Sequence, residues 1–106
     1  MKTYNKLVRD KTPNIIKANG GECKFHVANN DEYEILLFAK LREKMDELYL
    51  NFCAEEIADV LEVIEVIARR KGITLDEIKS EKTNKRESRG GFRKKIVLEI
   101  ATEKND

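Results

Sequence analysis

Apolar positions along this chain recur mainly at helical spacing. The run "EEIADVLEVIEVIARRKG" stops at Gly72, and projecting it at about 100° per residue gathers Ile57, Val60, Leu61, Val63, Ile64, Ile67 and Ala68 into one arc. That arc predicts an amphipathic helix with a core-facing side, while Glu55, Asp59, Glu62, Glu65 and Arg69 fall on the other side. Glu56 breaks the pattern, because it projects beside Val63 and Ile67 at the flank of the apolar arc. Upstream, Asn30 and Asp31 are good caps, and Asp31 with Glu34 imitates a capping box, so a long helix is expected from there to about Leu50. Leu37, Leu41, Met45 and Leu48 share its inner face, and a short break near residues 51–54 separates the two helices.

Shorter elements flank this pair. Thr12 followed by Pro13 reads as an N-cap and first helical position, and Gly20-Gly21 as a stop, giving a short helix over 13–19. Thr74 with Glu77 three residues on is a capping-box signature for a charged helix reaching about Ser88, before Gly90-Gly91. Cys23, Phe25 and Val27 alternate with polar neighbours in 22–28, and "KKIVLEI" is rich in β-branched residues. The expected fold class is therefore mainly α: an antiparallel helical core with a short two-stranded β element formed by residues near 22–28 and 94–99. The tail beyond Thr102 is expected to fray.

A length of 106 residues suits a single domain, 1–106. The 41% hydrophobic and 39% charged composition, with only Pro13 and five glycines, favours solvent-washed helices over a turn-rich β fold. Twenty-one basic against twenty acidic residues leave a net charge of +1, so no global field recruits nucleic acid or an anionic membrane. Cys23, Cys53 and the single His26 lack the close spacing of a structural zinc site. The first residues lack the apolar region of a signal peptide and no apolar run approaches ~20 residues, which leads to the expectation of a cytoplasmic protein.

The chemistry suggested by this pattern is acidic. Glu43 and Glu47, four residues apart, stack along the edge of the first main helix, a like-charge spacing that disfavours an isolated helix. Packed against a second helix edged by Glu56, they concentrate negative charge beside an apolar core, and oxygen-only ligands suit Mg²⁺ or Mn²⁺. The plainer alternative is that these are solvated surface glutamates in a glutamate-rich chain.

Four segments, "YNKLVRDKTPNIIKANG", "KLREKMDEL", "EEIADVLEVIEVIARRKGITLDEI" and "KRESRGGFRKKIVL", together resemble the phosphoribosyl-ATP pyrophosphohydrolase-like branch of the MazG-like superfamily. That resemblance implies an all-α core, Mg²⁺ held by an E-x-x-E on one helix and an E-x-x-D on the next, and cleavage of a nucleotide between its α and β phosphates with release of pyrophosphate. It also implies a homo-oligomer. Glu56 and Asp59 match the second motif in full. In the first, Glu47 holds the second acidic position but Lys44 stands at the first, with Glu43 one residue earlier as a partial substitute. The implied catalytic and metal-binding set is thus Glu43, Glu47, Glu56 and Asp59, with Lys44 as the departure. An ammonium at Lys44 is expected to pair with Glu56, and a nucleotide-binding or interaction module with weakened catalysis is the alternative function.

Lys6, Arg9, Lys11, Lys82, Lys85, Arg86 and Arg89 are candidates to bind the phosphate chain of a nucleotide substrate. The last four also read as a solvated helix face interleaved with Glu81 and Glu87. Nucleic-acid binding through the basic stretch 79–95 is disfavoured by the acidic helix edges. His26 reads as structural.

Overall fold

The computed structural model describes residues 2–102, in which four helices follow one another: α1 (Thr12–Ala18), α2 (Asn30–Leu50), α3 (Ala54–Arg70) and α4 (Leu75–Arg89). The chain divides into two compact units, Met1–Gly72 and Ile73–Asp106. The first contains α1 to α3; the second is built on α4.

In the first unit, α2 and α3 form an antiparallel hairpin joined by residues 51–53. Its open end is fastened by the start of α2 and the end of α3. The Arg70 guanidinium donates to the Asn30 carbonyl at 2.8 Å and lies over the Tyr33 ring at 5.0 Å, while Lys71 pairs with Glu34. At the closed end Lys44 reaches Asp59. Partner numbers rise along α2 as they fall along α3, which sets the antiparallel register.

The N-cap of α2 lies one residue ahead of the expected caps Asn30 and Asp31, and the helix begins at Asn30. Asn29 is the N-cap, its side-chain oxygen accepting from the Glu32 amide at 2.9 Å, and Asp31 and Glu32 sit in the first turn against the positive end of the helix. The expected Asp31 and Glu34 box does not form, because Asp31 lies inside the first helical turn behind the N-cap Asn29, and Glu34 pairs with Lys71 instead. That ammonium's hydrogen bond and charge hold the Glu34 carboxyl below its ordinary pKa. α3 ends at the C-cap Lys71, and Gly72 follows with φ +73°, a left-handed conformation that costs glycine nothing.

Leu37, Val63 and Ala68 are the buried apolar residues of the seam between these helices. The apolar arc of α3 is therefore only partly core. Val60 and Ile67 are half-buried, whereas Ile57, Leu61 and Ile64 are 44%, 52% and 39% exposed. On α2, Met45 is likewise 47% exposed while Leu41 and Leu48 are half-buried. A single neighbouring helix covers only part of so broad an arc.

Two other expectations are corrected. Thr12 is already helical, its amide donating to the Arg9 carbonyl at 3.0 Å, so Lys11 takes the N-cap position and Pro13 falls within the first turn. The helix opens one residue earlier than expected because a turn at 9–12 leads into it. The two-stranded β element is absent among the described residues. Residues 22–28 form no regular element, and Lys95 has φ +59°, its amide donating to the Phe92 carbonyl at 3.2 Å. A left-handed residue inside 94–99 interrupts the pleat that β-branched neighbours favour.

In the second unit, Thr74 closes the expected capping box, accepting from the Glu77 amide at 3.1 Å while its own amide donates to the Glu77 carboxylate at 3.4 Å. α4 is polar on nearly every side and contains no buried residue. No helix among the described residues is long and apolar enough to cross a membrane. The tail beyond Thr102 lies outside the described residues.

Candidate metal centre

The closed end of the α2–α3 hairpin carries the acidic residues. Glu47 lies in the last turn of α2, and Glu56 and Asp59, three residues apart, lie on one face of the first turns of α3. The antiparallel register brings the three together. One carboxylate oxygen from each lies within 4.8 Å of the others, and all three residues are half-buried. Glu56 contributes an additional feature: its Oε2 is buried and accepts no hydrogen bond. A buried carboxylate oxygen without a partner is costly, so the cluster retains unused acceptor capacity.

Lys44 stands among these carboxylates, but it does not pair with Glu56 as expected. Its Nζ is 3.1 Å from Glu47 Oε2, three residues on along its own helix, and 3.7 Å from Asp59 Oδ2 across the seam. The nearer partners win because i,i+3 neighbours on a helix are already adjacent. Burial by itself pushes the Lys44 ammonium down in pKa. The hydrogen bond and charge of Glu47, with the charges of Asp59 and Glu43, outweigh it and hold Lys44 above its ordinary value.

Glu43 stands outside the trio. Its carboxylate is held by Lys40 at 2.9 Å and Lys6 at 3.2 Å, and the Lys40 hydrogen bond, aided by Lys6 and opposed by partial burial, keeps its pKa below the ordinary value. Lys40 was not singled out from the sequence. Its signal was available as repeated spacing: Lys40 precedes Glu43, and Lys44 precedes Glu47, by three residues. Each glutamate of the like-charged pair on α2 thus has its own ammonium, which offsets the repulsion expected from their spacing.

The N-terminal segment closes over the same side. Arg9 donates to Asp59 Oδ1 at 2.8 Å and remains 66% exposed, while Lys6 reaches Glu43. Lys11 is exposed at the start of α1. Lys82, Lys85, Arg86 and Arg89 belong to the second unit, all exposed on α4, where Lys82 and Lys85 border a shallow groove with Ile73 and Ile78. His26 lies against Glu32, its Nε2 2.8 Å from Oε1.

Three carboxylates without thiol or imidazole are the donor set that a hard divalent cation takes, and the unpartnered Glu56 oxygen fits such a ligand. Arg9 and Lys44 already occupy both oxygens of Asp59, so a cation bound there competes with two internal ones. Compared with family models, curated proteins and solved structures, the chain matches none.

Proposed function

We propose that this chain is a metal-dependent nucleotide pyrophosphohydrolase that cleaves between the α and β phosphates and releases pyrophosphate. The observation that carries this reading is the convergence of Glu47, Glu56 and Asp59, the acidic residues matching the resembled motifs, on one point between two helices. Mg²⁺ or Mn²⁺ held by these residues would neutralise phosphate charge and lower the pKa of an attacking water. Glu56 supplies a carboxylate oxygen already removed from solvent. Arg9, with its guanidinium largely in solvent, is placed to exchange Asp59 for phosphate oxygens through its planar fork, and Lys6 to exchange Glu43. Lys44 keeps its proton and adds fixed positive charge beside the anionic chain.

One specific observation favours a second reading. The Lys44 ammonium lies within reach of two of the three carboxylates, so the same site describes a nucleotide-binding module with weak turnover. Pyrophosphate release from a panel of nucleotides with Mg²⁺ or Mn²⁺, beside a Glu56→Gln control, separates the two. Metal-dependent release lost in the control supports the enzyme; nucleotide binding without release supports the module.

A further inference from the structure

Residues 2–11 run along the carboxylate side of the hairpin with little to hold them there. Leu7 is half-buried, and the other side chains of this segment are exposed. Among the described residues, its side-chain ties to the hairpin are two ion pairs, Arg9 with Asp59 and Lys6 with Glu43, and no backbone hydrogen bond joins it to α2 or α3. α1, which follows, contains no buried residue either. Two partly exposed ion pairs are a weak attachment, of the kind that a competing ion exchanges.

We propose that residues 2–11 form a strap latched over the carboxylates by Arg9, and that a divalent cation opens it. The proposal rests on reading Glu47, Glu56 and Asp59 as cation ligands, and it concerns how that site is gated. Asp59 is the shared element. One of its oxygens completes the trio, while Oδ1 accepts from Arg9 at 2.8 Å and Oδ2 faces Lys44 at 3.7 Å. A divalent ion placed there meets two cations at short range, and the repulsion falls most when one of them leaves. Lys44 is poorly placed to leave, since its side chain is only 22% exposed and its ammonium is fixed to Glu47 at 3.1 Å. Arg9 is free to do so: its side chain is 66% exposed and is carried by the weakly held segment. Lys6 pairs with Glu43, outside the trio, so the cation does not contest that contact and the release is confined to the Arg9 end. Latch and cation thus oppose each other at Asp59, and the opposition is reciprocal. An ion that loosens the strap must bind more tightly where the latch is missing.

Limited trypsin digestion of the full chain with and without Mn²⁺ reads the strap, and the electron paramagnetic resonance signal of free Mn²⁺ reads binding of the same ion. Saturating Mn²⁺ is expected to speed cleavage after Arg9 and Lys11 about two- to fivefold, the range over which a partly exposed ion pair biases an equilibrium. Arg9→Gln is expected to bind Mn²⁺ more tightly by a similar factor. Its cleavage after Lys11 is expected to be fast already and unchanged by the ion, which also shows that Mn²⁺ does not act on the protease. Cleavage of the unmodified protein that stays constant while Mn²⁺ binds overturns the strap and leaves the cation site standing, and so does an Arg9→Gln affinity equal to that of the parent. Failure of both proteins to bind Mn²⁺ overturns the cation site and the strap with it.

Discussion

Lys44 on α2 reaches Asp59 on α3, Nζ to Oδ2 3.7 Å, so an ammonium bridges the two helices at the point where the carboxylates meet. The same ammonium holds Glu47 at 3.1 Å, and its side chain is only 22% exposed. Removing it leaves half-buried carboxylates with less compensation. Lys44→Ala is expected to lower stability without metal by about 1–2 kcal/mol, between the values for exposed and buried pairs. Lys44→Glu is expected to lower it further and to tighten Mg²⁺ or Mn²⁺ binding. Thermal melts with and without metal check both: a larger metal-induced rise in Tm for Lys44→Glu than for the parent is the expected result, and equal rises place Lys44 outside the site.

Glu56 has the opposite signature. Its buried Oε2 has no hydrogen-bond partner, so Glu56→Gln removes a charge that the folded protein leaves uncompensated. Stability without metal is expected to stay level or rise, while the metal-induced shift in Tm disappears. A marked loss of stability without metal would show that the carboxylate has a partner in solution.

The acid limb of stability depends in part on Glu43. Its carboxyl pKa is depressed from the ordinary 4.5, chiefly by the Lys40 hydrogen bond, so its contribution is present above 4.5 and is lost as pH falls through the depressed folded value. Glu43→Gln is expected to flatten the stability profile below that pH. Lys44 acts at the other extreme: raised above 10.5, it contributes fully below that value and is lost as pH rises through the folded one. Urea melts across pH, with Glu43→Gln and Lys44→Met beside the parent, measure the two limbs separately.

At the open end of the hairpin, Arg70 combines a hydrogen bond to the Asn30 carbonyl with a position over the Tyr33 ring. Arg70→Ala is expected to cost about 2–4 kcal/mol, the sum of a charged hydrogen bond and an exposed cation–π contact. Arg70→Lys is expected to recover little, because a point charge cannot lie flat on the ring while reaching the carbonyl. Equilibrium denaturation of the two variants checks the difference.

The sequence by itself determined what is set within a few residues. Helical periodicity located α2, α3 and α4, and Thr74 with Glu77 announced its own capping box, because caps and i,i+3 neighbours are held together by local backbone geometry. Glu47 and Glu56 were legible as acidic residues at the edge of an apolar arc, whereas helical projection put Asp59 on the polar side and only the resembled motif singled it out; the structure brings it to the other two. Tertiary structure decided the rest. Which part of the α3 arc was covered depended on how much of it a single partner helix could reach, so Val63 was buried while Leu61 stayed exposed. Which cation each carboxylate took depended on the register between α2 and α3 and on the path of the N-terminal segment, fifty residues from Asp59 in the case of Arg9. Whether 22–28 and 94–99 became strands depended on a partner that β-branched composition cannot supply, because a strand is completed by hydrogen bonds to another stretch of chain.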